Sequence, residues 1–151
     1  MENLSTRNCN PLNIRYTGDK WKGMTGVKSG FVVFEKDFFG YRAALKILLG
    51  YIGRGLRTPR EIISTWAPPV ENDTETYIRT VAYRSGLKAD CKIETVGELV
   101  RLVKWMGYVE RGSVSSYYLI HAAFYDLDYK SLSREQIEGY LSLTSIKFKC
   151  L

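Results

Sequence analysis

The chain has 151 residues, 45% hydrophobic and 25% charged, which is enough for one domain with a filled core and excludes a disordered polypeptide. Its net charge is +6, and residues 1–60 hold eleven of the 22 Lys and Arg residues but four of the 16 Asp and Glu residues. A basic N-terminal third suits a polyanionic partner, either nucleic acid or an anionic cell-wall polymer.

Targeting signals and cofactor motifs are missing from the sequence. No apolar run approaches the roughly 20 residues of a transmembrane helix, and the first residues lack the hydrophobic core of a signal peptide. We therefore expect no membrane span and a chain synthesised in the cytoplasm without a signal peptide. The three cysteines and single histidine have no metal-ligand spacing, and no glycine-rich phosphate motif is present. We expect no metal and no cofactor.

The first third of the chain predicts a small β-hairpin. Residues 1–6 are polar and predict a frayed arm, after which residues 14–16 and 31–34 alternate like the two strands of the hairpin. Asn10 and Asn13 precede the first strand, and Trp21 lies in the connection. Amides and flat aromatic rings hold sugars well, but the same residues also build turns and cap cores, so both interpretations stay open.

The rest of the chain predicts a mainly α (α+β) fold with five helices. Capping boxes or apolar periodicity predict helices at about residues 41–52, 75–85, 96–109 and 134–143, and a short one from residue 59 that Pro68 stops. The aromatic run at residues 117–125 is ambiguous, and residues 146–151 fit either a short strand or a loose end. Only one domain is expected.

Two glutamates are candidates for acid–base chemistry. Glu110 ends an amphipathic helix just before Arg111 and Gly112, where apolar neighbours can raise its pKa and make it a general acid. The alternative is a surface glutamate beside Arg111. Glu71 lies in a loop next to Asn72, and its alternative role is a carboxylate that favours the start of the next helix.

Several short motifs carry a family resemblance. They are Asn-x-Asn-Pro-x-Asn-Ile-Arg from residue 8, Trp-x-Gly from 21, Gly-Phe-x-x-Phe from 30, Gly-x-Arg-Ala from 40, Arg-Gly-Leu-x-Thr from 54 and Trp-Ala-Pro-Pro-x-Glu-Asn-x-Thr-x-x-Tyr-Ile from 66. Over residues 7–112 the chain resembles the structural protein P5 (virion protein) family of phages and prophages. It departs from that family at Cys9 and Arg111, where asparagine is usual, and residues 113–132 fit poorly.

The resemblance implies a lysozyme-like domain, possible circular permutation and a divergent C-terminal extension, residues 113–151, packed on the domain. Because lysozyme-like enzymes place the acid glutamate at a helix end beside a hairpin, it also implies that Glu110 lies next to Asn10–Arg15. The implied catalytic residues are Glu110 and Glu71. The implied substrate-binding residues are Asn10, Asn13, Arg15, Tyr16, Trp21, Trp66, Asn72 and Tyr77.

The function expected from this resemblance is peptidoglycan degradation by a muramidase or lytic transglycosylase that cleaves β-1,4 glycosidic bonds. Its partners would be peptidoglycan glycan strands and other virion proteins, and it would act at the bacterial cell wall or in the virion. One carboxylate would fit transglycosylation, whereas Glu71 as a second would fit hydrolysis. The alternatives are a non-catalytic virion or wall-binding protein with the same fold and, more weakly supported, a nucleic-acid-binding protein.

Overall fold

The longest helix, Asp37–Gly53 (α2), lies at the centre of the fold in the computed structural model, which describes residues 3–145. The other elements, in chain order, are the helix Leu4–Arg7 (α1), the strands Met24–Lys28 (β1) and Phe31–Phe34 (β2), and the helices Pro59–Trp66 (α3), Thr74–Ser85 (α4), Val96–Arg111 (α5), Tyr117–Tyr125 (α6) and Arg134–Thr144 (α7). The described part is mostly helical with one small antiparallel sheet, as the sequence predicts. None of its helices is long and apolar enough to cross a membrane.

Helix α2 is apolar around most of its circumference, and it therefore packs on several neighbours at once. Its Tyr41, Leu45 and Leu48 side chains are completely buried. It contacts β2, α5, α6 and, most extensively, α7. Helices α3 and α4 pack on each other, and α4 also packs on α5. The core therefore forms around one central helix.

Helices α2 and α7 approach each other at two glycines. A Cβ atom added at Gly53 would overlap the Glu135 carbonyl oxygen, and one added at Gly139 would overlap the Leu49 carbonyl oxygen. Backbone atoms cannot move aside as flexible side chains do, so this approach requires glycine on both helices. Residues after 113 thus pack directly on the central helix through α6 and α7.

The hairpin differs from the predicted one in its first strand. β2 pairs with the adjacent β1 through a turn at Ser29 and Gly30, which have φ values of 54° and 84°. Positive φ at both positions is typical of the two-residue turn that closes a local hairpin. The predicted first strand at residues 14–16 makes only one bridge, between Arg15 and Phe31. The turn at Ser29 and Gly30 joins β1 to β2 through two residues, whereas pairing of residues 14–16 with β2 would close a longer loop.

The helix predictions from capping boxes are confirmed. Thr58, Thr95 and Ser133 each accept a hydrogen bond at the start of α3, α5 and α7, and the glutamate or glutamine three residues later bonds back. The ambiguous aromatic run forms α6, which Ser116 caps. With α1 and α6, the described residues contain seven α-helices where the sequence predicts five.

The predicted frayed arm at residues 1–6 is wrong for its described part. Leu4–Arg7 forms one helical turn, because the Asn3 side chain accepts a hydrogen bond from the Thr6 N–H and donates one to the Arg111 carbonyl. This second contact attaches the segment to the end of α5. The short strand or loose end predicted at residues 146–151 lies outside the described residues.

Gly139→Ala is expected to lower the free energy of unfolding by about 1–3 kcal/mol, the usual cost of overpacking a tight contact. Its methyl group would meet the Leu49 carbonyl, so α7 would have to shift away from α2. Gly97→Ala is the matched control, because its Cβ would meet only Thr95 Oγ1 at 3.9 Å. Helix propensity predicts that the control is as stable as the wild type or up to about 1 kcal/mol more stable. Urea denaturation measures both, and equal stabilities would contradict the close approach.

Candidate active site

Glu110 lies in the last turn of α5, which Gly112 ends with a φ value of 79°. The Asn13 Nδ2 group donates a hydrogen bond to Glu110 Oε1 at 3.2 Å, and the Tyr77 hydroxyl donates to Oε2 at 3.0 Å. Asn13 and Glu110 are 97 residues apart in the sequence. The structure thus places Glu110 beside the Asn10–Arg15 segment, where the family resemblance predicts it.

The Glu110 carboxyl is half-buried, and burial raises its pKa above the usual range for glutamate. Interactions with the side chains of Asn13, Tyr77 and Trp66 favour the ionised form and partly oppose this effect. Desolvation remains the largest cause, so the carboxyl keeps its proton to a higher pH than an exposed glutamate does. A carboxyl group that keeps its proton in this way is suited to general acid catalysis.

Arg111 does not neutralise Glu110, although it is the next residue. Its guanidinium donates to both carboxylate oxygens of Asp37, at 3.0 and 2.8 Å, and also contacts the Tyr41 hydroxyl. Among the described residues Glu110 forms no ion pair. The alternative of a surface glutamate beside its arginine is therefore wrong.

Asn10 has a structural role that the sequence did not predict. Its side chain is completely buried, donates to the carbonyl oxygens of Ile14 and Val32 at 2.9 Å, and accepts from the Ile14 N–H at 2.9 Å. These bonds leave no surface for a ligand, which corrects the predicted sugar contact. They shape the loop in which Asn13 has a φ value of 53°, a left-handed conformation that asparagine tolerates well.

A cavity of about 770 Å³ lies next to Asn13. The predicted residues Asn13, Arg15, Trp21 and Trp66 all line it. Glu110 is not itself among the lining residues, but its contacts with Asn13 and Trp66 link the carboxyl to the cavity. The volume and the aromatic walls of this cavity are typical of a site that binds a small molecule or a short polymer segment.

Tyr77 was predicted to contact substrate, but it is buried, does not line this cavity, and donates its hydroxyl hydrogen to Glu110, which corrects that prediction. Three more predicted residues do not line the cavity. Glu71 and Asn72 are exposed in the loop between α3 and α4, and the Asn72 side chain donates to the Pro68 carbonyl. Tyr16 is 44% exposed and does not line the cavity. The structure therefore brings neither the second predicted carboxylate nor these two predicted contacts to the site.

One wall of the cavity was missed by the sequence interpretation. Lys46, Tyr51 and Arg54 contribute it from α2 and its C-terminal end, and Gln136 of α7 lies beside them. Tyr51 and Trp66 meet edge to face, with ring centroids 6.4 Å apart. Lys46 was the signal in the sequence that could have indicated this wall, because it is a charged residue on a helix that is otherwise apolar on most sides.

Comparisons with known proteins give one similarity of limited extent. No protein-family model matches the chain. The chain is 39% identical over 93 residues to Protein P5 of Pseudoalteromonas phage PM2, a match that covers 58% of each protein. The chain thus spans about 58% of the length of this relative. Over the matched part the chain is similar to this phage protein.

Glu110→Gln is expected to stabilise the protein at neutral pH by about 0.5–2 kcal/mol, as is common when a buried functional group is neutralised. Because folding raises the pKa of Glu110, the folded state binds more protons than the unfolded state between the two pKa values. The free energy of unfolding therefore falls as pH rises through that interval. The gain from Glu110→Gln should be largest above the folded pKa and nearly vanish below the unfolded pKa.

The hydrogen bonds around the site can accommodate this substitution. The amide oxygen introduced by Glu110→Gln would still accept from Asn13, and Tyr77 can turn its hydroxyl toward the Met106 carbonyl, which is 3.4 Å away. Glu94→Gln is the control, because Glu94 is exposed. Thermal unfolding measured from acid to neutral pH compares the three proteins. A Glu110→Gln gain that grows toward acid pH would contradict the raised pKa.

Proposed function

We propose that the chain is a peptidoglycan-degrading glycosidase of phage or prophage origin that acts as a lytic transglycosylase on β-1,4 bonds between amino sugars. The supporting observation is the half-buried Glu110 carboxyl, with its raised pKa, beside an aromatic-lined cavity. Cleavage of a glycosidic bond requires an acid that carries its proton, and the raised pKa extends the pH range in which Glu110 does so. Similarity to a phage protein supports the phage origin.

The proposed fold family is the lysozyme-like one, with a circular permutation. The hairpin comes early in the chain and the helix that carries the acid comes later, yet the two meet at the Asn13–Glu110 contact. The acid therefore lies beside the substrate-binding loop, as the mechanism requires, although the loop precedes the acid in the sequence. This arrangement supports the proposal through geometry, independently of sequence similarity.

Glu110 would act first as an acid and then as a base. Protonated Glu110 donates its proton to the leaving oxygen while the C1–O bond breaks, and the substrate's N-acetyl oxygen stabilises the positive charge at C1. The Glu110 carboxylate then removes the proton of the C6 hydroxyl, whose oxygen bonds to C1. The product is a 1,6-anhydro sugar, no water is consumed, and Glu110 is protonated again.

The surrounding side chains would position the glycan. Trp21 and Trp66 offer ring faces for stacking on sugars, and Arg15 offers hydrogen-bond donors at the cavity wall. Asn13 holds Glu110 Oε1 in the free protein, and the glycosidic oxygen would replace this amide when substrate binds. Catalytic hydrogen bonds often form only in the complex, so the resting contact does not oppose the mechanism.

The available carboxylates favour transglycosylation over hydrolysis. Glu71 is exposed and lies outside the cavity. Asp19 is the only carboxylate among the lining residues, and it is exposed, without the burial that distinguishes Glu110. A mechanism that uses one shielded carboxyl and the substrate's own groups therefore matches the site better than one that needs a second catalytic carboxylate.

A second candidate function has its own supporting observation. Both oxygens of Glu110 already accept hydrogen bonds from protein groups, an arrangement that also serves structure alone. A non-catalytic virion or wall-binding protein would keep the fold and the cavity without cleaving the glycan. Similarity to a phage protein fits this candidate equally well.

Glu110→Gln is expected to reduce the clearing of purified peptidoglycan about 10²–10⁴-fold, the usual contribution of a general acid. Glu94→Gln should clear it at the wild-type rate, since that carboxylate is exposed and remote from the cavity. Equal clearing by Glu110→Gln and wild type would remove Glu110 as the acid. Binding of peptidoglycan without any clearing by the wild type would establish the second candidate.

The products of the same digestion distinguish the two reaction types. Mass spectrometry should find fragments that are lighter by one water than hydrolytic fragments, without new reducing ends. Ordinary reducing ends, together with loss of activity in Glu71→Gln, would instead assign hydrolysis with Glu71 as the second carboxylate.

Tyr77→Phe is expected to move the alkaline limb of the activity profile to higher pH. Activity should fall as pH rises through the pKa of Glu110, because only the protonated acid can donate. The Tyr77 hydroxyl lowers that pKa, so its removal should raise it. Tyr83→Phe is the control, since Tyr83 is 85% exposed. A limb that stays in place or moves to lower pH would contradict the assigned role of Glu110.

A further inference from the structure

Four cationic side chains line the cavity beside the candidate active site. Arg15 and Lys20 come from the segment before β1, whereas Lys46 and Arg54 come from α2 and the residue that follows it. Among residues 3–145, Asp19 is the only carboxylate that lines the cavity with them. We call these four residues the cationic wall. Its net positive charge faces the space where the proposed substrate would lie.

The cationic wall has no counter-charge in direct contact. The ion pairs between described residues use other cations, such as Arg42 with Asp126, Arg60 with Glu75 and Arg111 with Asp37. None of the four wall residues takes part in an ion pair within the described range, residues 3–145. Cations that serve only solubility do not usually gather in one concave surface, where they repel each other.

Two of the wall cations are held in position by aromatic rings. The Arg15 guanidinium lies over the Phe31 ring, 5.0 Å from its centroid, and the Arg54 guanidinium lies over the Tyr51 ring at 5.2 Å. Stacking on a ring restrains a long side chain but leaves the edge of the guanidinium available to an anion. The wall is therefore partly preorganised.

Lys46 adds an electrostatic reason to bind an anion. Burial lowers its pKa, and the neighbouring Arg42 charge lowers it further, while Asp19 and Asp128 partly compensate. An anion bound in the cavity would offset both unfavourable effects. The position of Lys46 on a central helix makes this charge a fixed feature of the wall.

We infer that the cationic wall binds acidic substituents of the glycan, so that the site selects an acidic amino-sugar polymer over a neutral one. This inference rests on the proposed function, because it concerns the substrate of the same cavity. The chemistry is a sugar ring on the aromatic side chains with an anionic group on Lys46 or Arg54. The anion can be the carboxylate of an acidic sugar or the phosphate of a wall polymer.

A glycan fits the cavity better than a nucleic acid does. Single-stranded nucleic acids usually follow an extended basic groove that tracks the backbone. This cavity is a single concave site of about 770 Å³, with Asp19 on its wall and Glu110 linked to it through Asn13. The concave shape of the cavity and the Asp19 carboxylate therefore suit a glycan that carries a single anionic group better than a polymer with a phosphate at every unit.

Binding to Glu110→Gln, which separates binding from cleavage, tests the inference. The acidic probe is a tetrasaccharide of alternating N-acetylglucosamine and N-acetylmuramic acid, and the neutral probe is the N-acetylglucosamine tetramer. We expect about tenfold tighter binding of the acidic probe, and a difference that shrinks as salt is added. An N-acetylglucosamine tetramer that carries one phosphate group tests the phosphate source. Its tighter binding would keep the inference and assign the anion to a phosphate.

Lys46→Gln and Arg54→Gln should each remove most of the tenfold preference, because each lowers affinity for the acidic probe much more than affinity for the neutral probe. Lys88→Gln is the matched control, since Lys88 is exposed and does not line the cavity. Circular dichroism verifies that each variant is folded. Equal affinity for the acidic and neutral probes, no binding of either, or tighter binding of a single-stranded oligonucleotide would overturn the inference.

Failure of the inference and failure of the proposed function give different results. A wild-type protein that cleaves acidic and neutral glycans equally well would retain the proposed function and overturn the inference. A protein that prefers the acidic probe through Lys46 and Arg54 but cleaves nothing would retain the inference and overturn the enzymatic assignment.

Discussion

The buried side chain of Asn10 is the interaction on which the geometry of the site depends. Two of its three hydrogen bonds hold Ile14 within the N-terminal loop, and the third joins the loop to Val32 of β2. They add to the backbone hydrogen bonds that β2 donates to the loop. Each such bond adds about 1 kcal/mol, whereas a lost partner would leave buried polar groups unsatisfied at greater cost. The loop held in this way presents Asn13 to Glu110. The buried amide of Asn10 therefore determines where the amide of Asn13 lies.

Burial of the Glu110 carboxyl lowers the free energy of unfolding once the group ionises, whereas the hydrogen bonds of Asn10 raise it. Its carboxyl is shielded at the end of an amphipathic helix, and the adjacent Arg111 is engaged by Asp37 and does not neutralise it. Natural sequences commonly avoid an uncompensated buried carboxyl unless it has a use. Asn13 and Tyr77 satisfy its oxygens by hydrogen bonds without adding a charge. Burial thus favours the protonated carboxyl, whereas an ion pair with a cation would favour loss of the proton.

Local signals predicted the helices well, because capping boxes such as Thr58–Glu61 and Thr95–Glu98 act within four residues. The first strand of the hairpin was predicted incorrectly, because residues 14–16 make a single bridge to β2 and the strand that pairs along β2 is formed by residues 24–28. The prediction that Glu110 lies close to the loop of Asn10 and Asn13, the asparagine loop, came from the family resemblance. Burial of Asn10 could not be read from the sequence, because an amide that holds a loop and one that holds a sugar look alike there.

In the proposed function, acid chemistry and recognition of charge belong to different parts of the fold. Glu110 and the groups that hold it come from α4, α5 and the asparagine loop, whereas Lys46 and Arg54 come from α2 and the residue after it. Arg54 directly follows Gly53, which packs against the backbone of α7. The position of Arg54 therefore depends on α7, which does not contribute the groups that hold Glu110. If the proposal is correct, changes in α7 would alter which glycan is bound while the environment of the acid stays the same.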